Sequence, residues 1–481
     1  MTPKLVPGVT ALFMPRFWLA NVEEVFHPRH PDDDLGLLTK IDSTGPRFLF
    51  YGKPGDVLIL SCPVEEAFLT YVSQLIGAGN QDRLRVVFPS RRPTPWFLAD
   101  AVREDVALMA ELRRIIVDAK SERFVLEAYY QSPAALALAE ELGIPLCGTP
   151  AKLVRNGLVD RLNDKVFFKE IAGEEQVDVI PGFKASDRES LNGALHEVAE
   201  IFGEGELMVR KALSGGGLGN LSGHLEDLEW LMPDFYGGGD ILIEPCLDFI
   251  ETLGSLVEIT ETGNFFRGID VQDFENGCWC GFSFPYYRSN EVDEKNFTQV
   301  GNTRPCTPKD PSDQEKIAKV VEEVAEREEV AKVVEEASMR LANAVRGMGA
   351  RGRLNVDWGV VRDAEQGCLK PIAIESNFRH NGLSHILDLA QRLIRIPEER
   401  LYIRFLENFS LQEQPADLAA FFAYFQQQTY RGEPLLISSP GRERGVIPIL
   451  PPRNSRVGLA LFAPSLVELN DLQRLVGEML S

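Results

Sequence analysis

Short apolar runs alternate with helical segments over the first part of the chain. The runs at 48–52, 56–61 and 83–88 are FLFYG, DVLILS and RLRVVF, and Gly, Pro or Asp bounds them, as expected of buried strands. Between the last two, VEEAFLTYVSQLIGAG has helical spacing and ends in glycine. From residue 123 the pattern is strand, Ser-capped helix, short strand and turn. This alternation predicts an α/β domain with a largely parallel sheet over residues 1–155.

The pattern becomes α+β, with several Gly-rich turns, from about residue 156 to 405. One run of strong helix formers, 313–349, contains AKVVEE twice, beginning at Ala318 and Ala331. The copies are thirteen residues apart, which is not a whole number of helical turns, so we expect a local duplication or a break between two helices. Over 406–481 an amphipathic helix, three strand-like runs and a closing helix predict a small α+β unit.

Composition and charge narrow the class of protein. The 481 residues are 44% hydrophobic and 25% charged, an ordinary globular balance with room for several cores. The net charge of −22 argues against nucleic-acid binding, because phosphate backbones are bound by an excess of exposed Lys and Arg. No apolar run is long enough to span a membrane, the N-terminus lacks a signal-peptide pattern, and the seven scattered cysteines suit reduced thiols. We therefore expect a cytoplasmic protein without nucleic-acid or membrane partners.

A Gly-rich turn follows an apolar strand that begins at Glu206. The strand delivers Arg210 and Lys211, and the turn runs from Ser214 to Gly219. Glycines allow backbone N–H groups to approach phosphate oxygens, and a lysine at the strand end adds a point charge. The alternative is a plain surface loop, since the spacing matches neither a Walker A nor a Rossmann motif. The candidate phosphate-binding residues are Lys211, Ser214, Gly215, Gly216 and Gly217.

A second segment, 241–247, is an aliphatic strand that ends in Glu244 and proline. Such a strand suits a hinge whose backbone groups contact a planar ring, with Glu244, Cys246 and Leu247 as the candidates. Glu251, seven residues after Glu244, is placed to reach a ribose hydroxyl. The alternative is a buried strand followed by a turn.

Two further apolar runs, 354–361 and 371–378, predict a hairpin in which each strand carries an acid. These acids are Asp357 and Glu375. Asn377 follows Glu375 by two positions, and Arg379 by four, so strand geometry places all three on one face. Oxygen ligands from adjacent strands are what Mg²⁺ prefers, and burying these acids without a cation would otherwise require an internal Arg or Lys partner.

Taken in order, these segments resemble the ATP-grasp superfamily over about residues 150–400. LNDKVFFKEIAGEEQVDVIPGF resembles the first nucleotide-binding stretch, with Lys165 at the phosphate-facing lysine. VRKALSGGGLGN resembles the second lysine and the mobile lid; Lys211 is the better match, and Arg210 beside it leaves that choice open. IEPCL is similar to the adenine hinge, and NVDW with ESNFRHNG is similar to the metal-binding strands.

The flanking segments extend the resemblance. SPAALALAEELGIPLCGTP looks like the end of a pre-ATP-grasp domain, and GVIPILPP with RVGLALFAPS is similar to the terminal domain of peptide ligases of the pheganomycin type. The resemblance implies a pre-ATP-grasp domain at 1–155, an ATP-grasp domain at 156–405 and a cap domain at 406–481. Within the ATP-grasp domain, it implies a lid subdomain at 156–240 and a metal-binding subdomain at 241–405.

This resemblance implies an ATP-dependent carboxylate–amine ligase that forms an amide or peptide bond through an acyl phosphate. It implies ATP and one or two Mg²⁺ ions (or Mn²⁺), a carboxylic acid and an amine or amino acid as substrates, and a possible homodimer. Asp357, Glu375 and Asn377 would hold the metal, while Lys165 and Lys211 would contact the α- and β-phosphates. The alternatives are a small-molecule kinase, a carboxylase or a non-catalytic nucleotide sensor.

The oxyanion role is open, because Asn355 stands where D-alanine ligases have an arginine. Arg379 is the first candidate, with Arg351 and Arg353 as alternatives. Arg304 is a further candidate for binding a substrate carboxylate.

Overall fold

A computed structural model gives the coordinates of the chain and describes residues 14–26, 44–78, 84–90, 97–119, 123–203, 205–215, 219–228, 239–275, 278–286, 311–412 and 417–480. The strands are β1 (Arg16–Leu19), β2 (Val57–Ile59), β3 (Arg85–Val87), β4 (Val125–Ala128), β5 (Phe183–Ala185), β6 (Leu207–Lys211), β7 (Asn220–Gly223), β8 (Ile241–Pro245), β9 (Glu251–Ile259), β10 (Asn264–Glu275), β11 (Cys278–Phe284), β12 (Gly352–Arg362), β13 (Leu369–Phe378), β14 (Tyr402–Ser410), β15 (Thr429–Tyr430), β16 (Glu433–Pro434), β17 (Gly445–Arg453) and β18 (Arg456–Ala463).

The α-helices are α1 (Glu66–Leu75), α2 (Leu98–Glu104), α3 (Val106–Asp118), α4 (Pro133–Leu142), α5 (Ala151–Arg155), α6 (Leu158–Leu162), α7 (Lys165–Glu174), α8 (Arg188–Phe202), α9 (Pro311–Gly347), α10 (Gly382–Leu393), α11 (Leu418–Gln427) and α12 (Leu466–Leu480). Short 3-10 helices span Val22–Phe26, Gly45–Tyr51 and Glu398–Arg400.

The first four strands form a parallel sheet in the order β3-β2-β1-β4. The predicted α/β unit is therefore confirmed, including the Ser132 cap of α4, whose hydroxyl accepts from the Ala135 N–H at 3.0 Å. The strand prediction for 48–52 is wrong, because Gly45–Tyr51 is a 3-10 helix. Pro46 fixes a helical φ at its start, and a run buried on every side has no period that separates strand from helix.

The largest sheet has eight strands in the order β13-β12-β9-β10-β11-β14-β18-β17, and the pairs are antiparallel. The predicted 354–378 hairpin forms one edge of this sheet as β12 and β13. The C-terminal strands β17 and β18 join the same sheet through β14. The segment after residue 405 thus extends the central sheet, together with α11 and α12.

A second, four-stranded antiparallel sheet has the order β5-β8-β6-β7. Helix α8 packs on it, and Leu195, Val198, Val209 and Ile243 belong to a core that is separate from the main core of the chain. This smaller unit positions β6, which carries the predicted basic pair, and the turn that follows it.

Helix α9 runs without interruption through both AKVVEE copies, so the expected break between two helices is wrong. The run contains no proline or glycine between Pro311 and Gly347, which leaves nothing to end the helix. Val330, Val334 and Leu341 are buried, and the helix contacts β9 and β10. Among the helices of the described residues, none is long and apolar enough to cross a lipid bilayer.

Candidate active site

A cleft of about 360 Å³ lies where the three sheet-containing units meet. The N-terminal unit contributes Val25 and Tyr129 to its walls, the smaller sheet and its turn contribute Arg210 and Ser214, and the central sheet contributes Asp357. Of the predicted site residues, the lining of this cleft includes Lys165, Ser214, Asp357, Glu375, Asn377 and Arg379.

The β12–β13 register explains why the polar side chains converge. Asp357 is paired directly with Glu375, and Asn355 with Asn377. Residues opposite each other in an antiparallel pair point to the same face, and so do residues two apart along a strand. Arg379 continues this face one residue beyond the end of β13.

Asp357 is surrounded by side-chain amides. Its Oδ1 accepts from Gln272 Nε2 at 2.7 Å and from Asn355 Nδ2 at 2.8 Å, and its Oδ2 accepts from Asn377 Nδ2 at 2.7 Å. Burial, together with the nearby Glu375 charge, raises the pKa of Asp357 to about 6. Amide donors compensate a carboxylate less well than a cation does.

Glu375 has the opposite environment. Its Oε2 forms an ion pair with Arg210 and lies 3.5 Å from Lys165 Nζ. Burial raises the pKa of Glu375, but the Lys165 and Arg210 charges lower it more, so that the net shift is downward. Glu375 therefore has the internal Arg and Lys partners that a buried acid without a bound cation requires.

Lys165 is the first residue of α7, and the Asp164 carboxylate caps this helix by accepting from two backbone N–H groups. Its side chain is buried and donates to Ser214 O at 2.8 Å and to Ser214 Oγ at 3.2 Å. Burial lowers the pKa of Lys165, and Glu375 opposes that shift. Lys165 thus ties the start of α7 to the turn after β6.

Arg210 lines the cleft, whereas the preferred candidate, Lys211, lies on the other face of β6. Neighbouring residues of a strand point to opposite faces, and Lys211 packs instead towards Gly219, where an added Cβ would lie 3.1 Å from Lys211 Cδ. Arg210 is buried between Glu375 and Glu244, at 3.3 Å from Glu244 Oε2. The geometry therefore favours Arg210 over Lys211 for a phosphate contact.

The lining of the cleft includes none of the predicted hinge residues, although Glu244 contacts the cleft residue Arg210. Glu244 is buried and pairs with Lys169 as well as Arg210. The Cys246 N–H donates to Glu206 O at 2.8 Å, and Leu247 follows it after the end of β8. Glu251 forms an ion pair with Arg327 of α9, so its predicted ribose contact would have to replace that pair.

Gly215 is the described member of the three candidate glycines Gly215, Gly216 and Gly217. A Cβ placed on it would collide with the Val25 side chain, so this position requires the absence of a side chain for the turn to approach the N-terminal unit. Gly216, Gly217 and Arg304 lie outside the described residues.

Arg379 is the arginine of the cleft among the three oxyanion candidates. It donates to Asn163 Oδ1 at 2.5 Å, which orients the guanidinium. Arg353 instead pairs with Asp388 at 2.6 Å, and Arg351 donates to the backbone carbonyls of 346 and 350.

Sequence reasoning missed other cleft residues, including Asp270, Gln272, Arg47 and Glu407. Asp270 and Gln272 share one face of β10 with Phe274, and all three line the cleft. The alternation of side chains along β10 can be read from the sequence. The sequence does not show which face of β10 lies on the same side of the sheet as the acid of β12, because β9 lies between the two strands. Arg47 and Glu407 lie 3.6 Å apart and come from segments 360 residues distant in sequence.

The donor set fits a divalent cation only in combination with other ligands. Within the described residues, no three His, Cys, Asp or Glu side chains are grouped closely enough to hold a metal ion by themselves. Asp357, Glu375 and Asn377 nevertheless offer hard oxygen ligands on one face, which is the kind that Mg²⁺ uses together with water and substrate phosphates.

Comparison with known proteins identifies the fold of the chain. Residues 45–144 match the family described as the Pre ATP-grasp domain. About 97% of the chain is similar in structure to solved ATP-grasp enzymes, which shows that the chain has the ATP-grasp fold. No curated protein sequence gives a significant match.

Three solved structures illustrate the similarity. N5-carboxyaminoimidazole ribonucleotide synthetase from Thermus thermophilus is 12% identical, with a TM-score of 0.51 over 97% of this chain and 99% of that chain. Biotin carboxylase from Campylobacter jejuni is 12% identical, with a TM-score of 0.54 over 97% and 92%. The biotin carboxylase domain of Hydrogenobacter thermophilus 2-oxoglutarate carboxylase is 13% identical, with a TM-score of 0.54 over 97% and 90%.

Proposed function

We propose that this protein uses ATP to join a carboxylic acid to an amine, forming an amide or peptide bond through an acyl phosphate. The observation that carries the proposal is the convergence of two kinds of group in one cleft of an ATP-grasp fold. Asp357, Glu375 and Asn377 supply oxygen ligands, and Lys165, Arg210 and Arg379 supply positive charge.

The chemistry needs charge neutralisation more than a protein nucleophile. A carboxylate is a poor electrophile, and moving the γ-phosphoryl group of ATP onto it creates a good leaving group that the amine then displaces. Mg²⁺, held by Asp357, Glu375 and Asn377, would supply Lewis-acid neutralisation of the phosphate oxygens.

The chain's own cations orient and stabilise the reacting groups. Lys165 and Arg210 face the cleft and suit the nucleotide phosphates, while Lys211 remains the weaker candidate. Arg379, oriented by Asn163, suits the transferring phosphoryl group and the later tetrahedral oxyanion. The turn of Gly215, Gly216 and Gly217 would exclude water, because acyl phosphates hydrolyse readily.

The finer assignment is a peptide ligase of the pheganomycin type that acts in small-peptide or specialised-metabolite biosynthesis, in the cytoplasm and as a homodimer. The resemblance of the C-terminal segment supports this assignment. The Hydrogenobacter domain was solved with MgADP, ADP and bicarbonate, which supports nucleotide and metal use on this fold.

The test is a screen for ADP and phosphate release with carboxylic acids, alone and combined with amino acids, followed by mass spectrometry of the products. We expect turnover that requires both an acid and an amine and yields their amide. Release with bicarbonate but no amine would indicate a carboxylase, and a phosphorylated product without an amine requirement would indicate a kinase; either result would contradict the proposal.

A further inference from the structure

Arg47 and Glu407 form a buried ion pair in the cleft that the proposed mechanism does not use. Arg47 lies on the 3-10 helix Gly45–Tyr51 of the N-terminal unit, Glu407 lies on β14, and both line the cleft. Their side chains are 9% and 8% exposed, and Arg47 Nη1 lies 3.6 Å from Glu407 Oε1, which is too long for a hydrogen bond. Burying two charges is costly, and their attraction offsets that cost only where the hydrogen-bond geometry is good. The pair therefore suits a ligand better than it suits stability.

The ion pair lies at the end of the cleft floor that is remote from the predicted phosphate site. Strands β13, β12, β9, β10, β11 and β14 follow one another in the central sheet, with Glu375 on the first and Glu407 on the last. Arg210 and Lys165 pair with Glu375, so the phosphates are expected at the β13 end. The predicted adenine hinge follows β8, which pairs with the Arg210 strand β6, and it belongs to the same end. This arrangement leaves the β14 end to a substrate.

The opposite charges of the pair select a ligand that carries both signs. A zwitterion can set its carboxylate against Arg47 and its ammonium group against Glu407, so that each buried charge gains a second partner and the net charge of the cleft is unchanged. An amine without a carboxylate would compete with Arg47 for Glu407 and leave the guanidinium less well paired. The planar guanidinium of arginine also matches the geometry of a carboxylate.

Large ring surfaces lie beside the ion pair. Tyr129 and Trp279 line the same cleft. The guanidinium carbon of Arg47 lies 6.0 Å from the centroid of the Tyr129 ring. The centroid of the Trp279 ring lies 5.9 Å from that of Phe405, which is two residues before Glu407 on β14. Aromatic walls around a few placed charges are typical of a small-molecule site, and here they suit a bulky apolar group.

We propose that Arg47 and Glu407 bind the carboxylate and the ammonium group of an α-amino acid whose bulky apolar side chain packs on Tyr129 and Trp279. This amino acid would be the amine substrate, because the carboxylate that becomes activated belongs beside Arg379 and the phosphates. The inference rests on the proposed function and deepens it, since it names the class of amine and the residues that select it.

The first test is calorimetric titration of the full chain in the presence of Mg²⁺ and a non-hydrolysable ATP analogue. The ligands are leucine, methionine, phenylalanine and tryptophan, each compared with the amine that lacks only its carboxylate, and glycine. We expect at least one of the four to bind at least about tenfold more tightly than its amine and than glycine. Failure of all four to bind, or equal affinity for the matching amines, would overturn the inference.

The second test asks whether Arg47 causes this preference. Arg47→Met should weaken binding of the amino acid but not of its amine, whereas Glu407→Gln should weaken both, because both ligands carry the ammonium group. Arg47→Lys, which keeps the charge, should retain part of the preference. Arg442→Met is the matched control, since Arg442 pairs with the exposed Glu433 at 3.1 Å and is not part of the cleft lining, and it should change neither affinity.

A purely structural role for the ion pair would give a different result. In that case Arg47→Met and Arg47→Lys would weaken the amino acid and its amine by the same factor, and the inference would be wrong. Circular dichroism of each variant would show whether the fold is retained.

The two proposals fail in distinguishable ways. If amides form with simple amines as readily as with amino acids, the inference fails and the proposed function stands. If an amino acid binds in an Arg47-dependent way but no acid yields ADP and an amide with it, the binding site stands and the proposed function fails. If no amino acid binds and no amide forms, both fail.

Discussion

Two neighbouring acids of the same row, Glu375 and Asp357, have opposite surroundings. Glu375 is held by Arg210 and Lys165, and its pKa is lowered. Asp357, directly across the strand pair, receives only amide hydrogen bonds, and its pKa is raised to about 6. Both are carboxylates on one sheet face, so the difference comes from what the neighbouring units contribute above that face.

This difference indicates which contacts of the two acids must be replaced when a metal–nucleotide complex binds. On the Glu375 side, phosphate oxygens can replace the carboxylate as the partner of Arg210 and Lys165, which frees Glu375 for the metal. On the Asp357 side, the metal can replace amide donors without breaking an ion pair. We therefore expect Glu375 to determine turnover and Asp357 to limit stability in metal-free protein.

The largest effect is expected from Glu375→Gln. This variant should lose at least about 100-fold in the rate of ADP formation, or about 3 kcal/mol in the barrier, because a metal ligand is gone. Steady-state assays with a circular-dichroism check of folding would measure it. Glu365→Gln, in the exposed turn of the same hairpin, is the control. More than about a tenth of wild-type activity in Glu375→Gln would contradict the metal role.

The next effect separates Arg210 from Lys211. Arg210→Ala should weaken binding of a non-hydrolysable ATP analogue by about tenfold, since a cation that faces the cleft is lost. Lys211→Ala should change it by about twofold at most, because that side chain lies on the other face of β6. Calorimetric titration would measure both, with Arg210→Lys as a variant that keeps the charge. Equal losses of nucleotide affinity in the two alanine variants would contradict the assignment of Arg210, rather than Lys211, to the phosphates.

The smallest effect concerns stability in metal-free buffer. The pKa of Asp357 is raised in the folded state, so its contribution to stability is present below about pH 4 and is lost as the pH rises through about 6. Asp357→Asn should therefore be more stable than wild type at pH 7.5, by about 3 kcal/mol, and the gain should vanish near pH 4.

Glu375→Gln should show the reverse sign. Its folded-state pKa is lowered, so its contribution is present at neutral pH and is lost as the pH falls through the folded-state value. The variant should be less stable than wild type at pH 7.5, because the buried cations Arg210 and Lys165 lose the negative charge of Glu375. Urea unfolding at several pH values would measure both variants, and shifts of the same sign would refute the contrast.

The sequence predicts those parts of the site that depend on local periodicity. The hairpin, the shared face of Glu375 and Asn377, and the position of Arg379 all follow from a period of two within adjacent strands. Asp357 and Glu375 could also be paired, because only a short turn joins their strands.

The sequence does not predict features that depend on tertiary placement. Arg210 and Lys211 are adjacent, and only the packing of the smaller sheet determines which of them faces the cleft. Asp270 aligns with Asp357 because β9 lies between β10 and β12 in the sheet. Local sequence patterns do not reveal this order of strands. The FLFYG run fails for a related reason, since complete burial removes the alternation that distinguishes a strand.

The continuation of the central sheet into β18 and β17 has a consequence for how the chain can be shortened. Removing everything after residue 410 would leave β14, which carries the cleft residue Glu407, paired with β11 on one side and with N–H and C=O groups exposed on the other. Such an edge invites self-association, so a truncated protein should aggregate even though the β12–β13 acids are retained.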